Sequence, residues 1–488
     1  MTDLSLALRH APPDPAPGVW SRRLFLSQLG SVLALGTGWC RPGSSAAAPP
    51  AGSATVDPHA FGLDLPPGPV RPGAQRRVLV QDEEQPVVGR VHVEVGEYTV
   101  VLLPTGQLVP FLTIETTPTD RPFQPATAEA LGRRLARGPL ARSEPKITRH
   151  FVFLGNTSDE FTALTSRLLE TMVPGLLSYL ELVKLKASEP ELALPVLMFR
   201  TEEEYQRFRR MPPGVVAYYS VLDNYIVLCE ESPLADVKPE LALQQTFATI
   251  AHEGVHQILA NAGVQQRLSL WPMWLSEGLA EYLAPTTPGK RLRWKGAGQI
   301  NDLRMFDLEQ YLKSRDGDTA DGQMVEHTVV AARLTSTGYA AAWGLTHHLA
   351  KNQRVEFQRL LADVSRLGPL EGDTRIESPG ITPGNLQRFR AVVGDDLAGL
   401  ERKLIGHLKR QPYADPFADW PHYAAVVVSG NGGRPRRETN VFHTRGQAEK
   451  WSQEIVARLP AEQQEAAQVV IRSFPNRAAA EAFARQAR

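Results

Sequence analysis

The stretch AHEGVHQILANAG, residues 251–263, constrains this chain more than any other. As a helix across 240–260 it sets Leu243, Phe247, Ile250, Gly254 and Ile258 along one apolar stripe. His252 and His256, one turn apart, then fall on the opposite face. Two imidazoles so spaced can share one tetrahedral metal ion, and Glu253 is placed to polarise a water beside it. The alternative is a pair of surface histidines flanking a solvated acid. The first reading requires a core that receives the apolar stripe and a further element that completes the metal site.

A catalytic zinc takes three protein ligands and keeps a fourth position open. The downstream segment WPMWLSEGLAEYLAP supplies the missing ligand. Pro272 and Pro285 bracket a short helix with Glu277 and Glu281 on one face and Leu275, Leu279 and Tyr282 on the other. The loop NAGVQQRLSL leaves room for this helix to fold back, which makes Glu277 the candidate third ligand. Glu281, one turn on, can accept the spare N–H of a ligand histidine. Gly254 points the same way. Glycine inside a helix costs about 1 kcal/mol against alanine, so its place on the apolar stripe predicts close approach by another element.

The rest of the chain sets bounds. Its 488 residues leave room for roughly two to four domains. Lys+Arg and Asp+Glu each number 53, so bulk charge argues for neither nucleic acid nor an anionic membrane surface. Cys40 and Cys229 are the only cysteines, which excludes a thiolate metal site or a disulfide framework. Residues 1–48 resemble a twin-arginine export signal. Arg22-Arg23 precede Phe25-Leu26 and a mildly apolar run, and SSAAAPP suits cleavage near Ala48. This implies an exported protein, periplasmic or in the cell envelope. Trp39, directly before Cys40, is too bulky for the usual lipid-attachment signal.

Residues 49–77 read as a Pro/Gly/Ala-rich linker. The alternation in RVHVEVGEYTVVLLPTGQLVPFLTIET, with turns at Gly96-Glu97 and Thr105-Gly106, predicts a small β module over 78–140. Over 145–412 strands and helices precede the HExxH segment and helices follow it. The expected class is α+β, a mixed sheet with an active-site helix and then a helical subdomain. The tail, 420–488, repeats FHTRGQAEKW as FPNRAAAEAF, each after a strand-like run, and reads as a small α/β module.

HEGVHQ with WLSEGLAEY resembles the gluzincin branch of zinc metallopeptidases. The resemblance implies a zincin-like fold, Zn2+ on His252, His256 and Glu277, and Glu253 as the general base acting on a peptide or protein substrate. It is nearest to an uncharacterised bacterial family of peptidase-like domains of unknown function. It extends over about 148–412, through ITRHFVF, LPVLMFRTEEEYQRF and STGYAAAWGLTHHL. Gluzincins usually set a Tyr or His against the oxyanion. Tyr339, with Trp343 one turn on, is the candidate, and a buried core tyrosine is the alternative. In the hairpin VVAYYSVLDNYIVLC, Val215–Tyr219 is either the edge strand that zincins offer to extended substrates or an interior strand. His150 and Cys229 read as packing residues, and His347 and His348 as structural or exposed. The tail resembles SPOR-type modules that bind cell-wall glycan, implying cell-wall contact; a structural appendage is the other reading. The chain is therefore expected to be an exported zinc metallopeptidase. The rivals are a non-catalytic envelope binding protein on the same fold and a zinc hydrolase of a non-peptide amide.

Overall fold

The computed structural model describes residues 55–83, 85–212, 215–232, 239–286, 292–315, 320–375, 380–430 and 435–487. The twin-arginine-like segment and Cys40 lie outside them. The described chain is mixed α and β and divides into two units, residues up to Gln299 with Gly322–Leu404, and Ile300–Asp321 with Ile405–Arg488. No described helix is long and apolar enough to cross a membrane.

In the first unit, alternating segments form an antiparallel sheet of β1 (Thr55–Val56), β2 (Gly68–Pro72), β3 (Arg77–Asp82), β4 (Gln85–Val95), β5 (Tyr98–Leu102), β6 (Leu108–Leu112) and β7 (Thr117–Pro118). β1 and β2 fall in the stretch that composition marks as a linker, and the linker expectation fails there. Phe61, Leu63 and Leu65 are buried against Val93, Val95 and Val100. Burying each such side chain contributes about 1.5–3 kcal/mol, enough to order a segment otherwise rich in Pro and Gly. Helix α1 (Ala128–Leu135), capped by the Thr127 hydroxyl, follows the sheet.

The second sheet contains β8 (Lys146–Ile147), β9 (Phe151–Gly155), β10 (Leu194–Phe199), β11 (Ala217–Tyr219) and β12 (Ile226–Cys229), in spatial order β11-β12-β10-β9-β8. β9, β10 and β12 are parallel, and their runs FVFL, LPVLMF and IVLC are buried along their length, as in strands covered on both faces. Helix α2 (Asp159–Leu182) crosses from β9 to β10, and α3 (Glu202–Phe208) follows β10. The helical part begins with α4 (Pro239–Asn261) and α5 (Met273–Leu283). Helix α6 (Asp302–Ser314) belongs to the second unit. The first unit resumes with α7 (Gln323–Val330), α8 (Ser336–Asn352), α9 (Arg354–Val364) and α10 (Pro383–Val393), and it ends at Leu404 within α11 (Leu397–Leu408).

Helix α4 carries the HExxH motif, and its burial differs from the one-sided expectation. Residues 251–259 are buried on every side, whereas Leu243 on the apolar stripe is 40% exposed. The histidine face meets protein, not water. The close approach expected at Gly254 is made by α2, where an added Cβ would come 2.5 Å from Leu169 Cδ2.

In the second unit β13 (His422–Ser429), β14 (Arg436–Phe442) and β15 (Gln468–Phe474) form an antiparallel sheet in the order β14-β13-β15. Helices α12 (Arg445–Ala457) and α13 (Ala461–Gln464) precede β15, and α14 (Arg477–Gln486) follows it. The repeat appears as β14–α12 and β15–α14. Its shared Thr/Asn position is an N-cap in both copies, Thr444 accepting from Gln447 N–H and Asn476 from Ala479 N–H. Helix α6 joins this unit from far away in sequence, with Lys313 Nζ donating to the Val441 carbonyl at 3.4 Å.

Candidate metal centre

Helices α4 and α5 bring three ligand-type side chains together. His252 Nε2 lies 3.1 Å from Glu277 Oε2, and His256 Nε2 lies 3.2 Å from His252 Nε2 and 3.6 Å from Glu277 Oε1. All three are buried. A tetrahedral ion with bonds of about 2.0–2.2 Å holds such donors roughly 3.3 Å apart. The spacing and the donor set fit a zinc-sized ion.

The local electrostatics agree. Burial works against a charge on His252, but Glu277 and Glu281 outweigh it and hold its pKa well above the ordinary imidazole value. Burial also pushes the Glu277 carboxyl up, and His256 and His252 more than reverse this, bringing it down to about 2. The pocket thus favours positive charge between these groups, and a divalent cation satisfies the same preference. Glu281 Oε1 lies 3.3 Å from His252 Nδ1, where it can hold that N–H and leave Nε2 turned to the centre.

Glu253 points elsewhere. Its Oε2 accepts the Tyr219 N–H at 2.9 Å, while its buried Oε1 has no hydrogen-bond partner among the described residues. Burial raises its pKa, opposed by the two histidines. A cleft runs alongside, bounded by Tyr218, Tyr219, Glu253, His256, Arg267 and Glu277 among others.

Tyr219 belongs to β11, the edge strand of the second sheet. Cys229 N–H donates to Val216 and Ser220 N–H to Tyr225, both at 2.9 Å. By the antiparallel alternation, Ala217 and Tyr219 therefore turn their backbone groups away from β12. The hairpin is locked onto α4 by amides that the sequence reading missed. Asn224, at φ +62° in its turn, donates to Asn261 Oδ1 at 3.0 Å and accepts from Asn261 Nδ2 at 2.7 Å. The Tyr219 hydroxyl donates to Asn224 Oδ1 at 2.8 Å, and Gln257 Nε2 donates to the Asn224 carbonyl at 2.8 Å. Glu253, Gln257 and Asn261 recur one turn apart, so one stripe of α4 carries the acid and the amides that hold β11 over it. That spacing was visible in the sequence; the partner Asn224 was not.

The first sheet is fastened to the same wall. Arg267 donates to the carbonyls of Gly106, Val221 and Leu222 at 2.6, 2.8 and 2.9 Å, and its own carbonyl accepts from His92 at 2.8 Å. The β segment expected to precede the domain is thus part of the unit that holds the site.

Other singled-out residues have clear surroundings. Tyr339 on α8 is buried, its ring centroid 6.4 Å from that of His252. Trp343 lies against His347 at 5.4 Å, and His347 meets Tyr282 edge-on at 5.8 Å, an aromatic cluster within the core. His348 is buried on the same helix. His150 pairs with Glu170 through its N–H and Nδ1, both at 2.8 Å. Cys229 is buried, and burial chiefly pushes its thiol up to about 12.

Residues 246–371 match the family described as protein of unknown function (DUF1570). The match spans His252, Glu253, His256, Glu277, Glu281 and Tyr339. No curated protein matches the chain significantly.

Proposed function

We propose that this chain is an exported zinc-dependent metallopeptidase with a gluzincin-type centre. The observation that carries the proposal is the buried convergence of His252, His256 and Glu277 beside a cleft that Glu253 borders. Zinc held by these three residues would supply Lewis acidity, polarising a scissile carbonyl and making water acidic near neutral pH. Glu253, steadied at Oε2 by Tyr219, takes a proton from the attacking water at Oε1 and returns it to the leaving nitrogen. Burial raises its pKa, which strengthens it as the base for the first of these transfers. Ala217, with the Tyr219 carbonyl, presents backbone groups to an extended peptide laid along β11, the Tyr219 N–H being held by Glu253. Tyr339, close to His252, is the candidate donor to the oxyanion. Export rests on the twin-arginine-like residues 1–48, and cell-wall contact on the resemblance of the tail.

Glu253→Gln keeps size and shape but removes the base. The variant is expected to retain zinc while hydrolysis of an unfolded substrate such as casein falls by roughly 10²–10⁴-fold. Activity near the wild-type level would remove Glu253 from the mechanism. Zinc-loaded wild type that leaves casein intact would count against a peptidase.

A further inference from the structure

The second unit holds another convergence of imidazole and carboxylate, unconnected with the proposal above. Asp415 lies in the loop before β13, His422 is the first residue of β13, and His443 directly follows β14. The register Tyr423↔Phe442 makes His422 and His443 the next cross-strand neighbours, and their ring centroids are 4.1 Å apart. Asp415 Oδ2 lies 3.8 Å from His422 Nε2 and 3.5 Å from His443 Nε2.

These groups are held from behind. His422 Nδ1 is 2.6 Å from the Trp420 carbonyl, a contact that requires the proton on Nδ1 and, in the neutral ring, leaves a lone pair on Nε2. That Nε2 is buried without a hydrogen-bond partner among the described residues, on a side chain only 1% exposed. Asp415 Oδ1 accepts the Phe417 N–H at 2.8 Å, and Oδ2 accepts from Arg477 Nη1 at 2.9 Å. Phe306 covers the group, its ring 4.4 Å from that of His443 and 4.5 Å from that of Phe417.

A lone pair facing a carboxylate oxygen in such surroundings is repulsive unless a cation joins them. Arg477 is committed elsewhere as well, to Glu309 at 2.9 and 3.2 Å and to Glu481 at 2.8 Å. Lys313 adds a second positive charge at Glu309, 3.0 Å away. Arg485 lies 3.7 Å from Glu481, so the three carboxylates of Glu309, Asp415 and Glu481 are matched by three cations.

We infer that Asp415, His422 and His443 form a second metal site, for a divalent ion of the imidazole-preferring kind that zinc exemplifies. The donors stand slightly farther apart than the roughly 3.3 Å of a loaded tetrahedral site, so binding draws them together and ties the segment before β13 to both strands. The site is a structural staple of the second unit.

The test uses the full chain, stripped by chelator and reloaded with Zn2+. His256→Ala removes a ligand of the first centre, and this variant is expected to keep one tightly held zinc by metal analysis. Adding His443→Gln or, separately, Asp415→Asn should weaken the remaining binding at least ~10-fold, the lower end of what losing even an outer partner costs. Circular dichroism shows whether these variants fold. Zinc should raise the melting temperature of His256→Ala and leave that of the folded double variants unchanged. His443→Gln alone should leave casein hydrolysis intact, which separates this site from the first centre. No zinc on His256→Ala would overturn the inference, since Asp415 and the histidines would then share only a proton. So would a folded double variant that binds zinc as tightly as His256→Ala.

Discussion

Glu277 and Glu281 stand one turn apart on α5 and approach different nitrogens of one imidazole, Glu277 at His252 Nε2 and Glu281 at Nδ1. Their replacement should therefore differ in degree. Glu277→Ala leaves two histidines and should abolish zinc binding at ordinary zinc concentrations. Glu281→Ala should keep the ion with affinity or activity down by roughly 10–100-fold. Metal analysis and an equilibrium titration distinguish these outcomes, and a reversed order would move the third ligand one turn along α5. This pair was legible in the sequence because helical periodicity alone puts both acids on one face. Asn224 was not legible. Its value lies in reaching Asn261 and Gln257 across a hairpin turn, a relation that no local spacing encodes.

At the scale of elements, glycines set how closely the helices of the centre pack. An added Cβ at Gly278 would fall 2.6 Å from the Ala342 carbonyl oxygen and 2.5 Å from Thr346 Oγ1, both on α8. At Gly254 it would meet Leu169 Cδ2 at 2.5 Å and Met172 Cε at 3.5 Å, the ends of flexible side chains. Alanine gains about 1 kcal/mol of helix propensity at either position. Against backbone the overpacking cost, about 1–3 kcal/mol, should win. Gly278→Ala is thus expected to be the more destabilising in urea unfolding, with Gly254→Ala nearer to neutral; equal losses would contradict a backbone contact at Gly278. The sequence pattern anticipated closeness at Gly254 because its place on an apolar stripe was visible. It did not anticipate Gly278, whose neighbour α8 lies a long stretch of chain away. The linker reading failed for the opposite reason. Composition weighed the Pro and Gly of residues 49–77 and missed that Phe61, Leu63 and Leu65 are enough to pack the segment down.

At the scale of the whole chain, the second unit is discontinuous. It takes α6 from between Gln299 and Gly322 and the rest from Ile405 onward. The boundary that the sequence sets between residues 412 and 420 could not reveal this, because the link is tertiary. Phe306 on α6 lies against Phe417 and His443, and Glu309 pairs with Arg477. Leu303, Met305, Phe306 and Leu308 are buried, each worth about 1.5–3 kcal/mol of apolar transfer. A chain ended at Leu404 keeps α6 but removes Phe417, His443 and Arg477. It should expose that apolar surface and aggregate. A second truncation, with residues 300–321 also replaced by a Gly/Ser segment of equal length, removes the stranded helix along with its partners. Every residue of the proposed first metal centre remains. This version should stay soluble and bind one zinc, measured by light scattering and metal analysis. If the first truncation proves equally soluble, α6 does not depend on the tail for its burial, and the division of the chain into these two units is wrong.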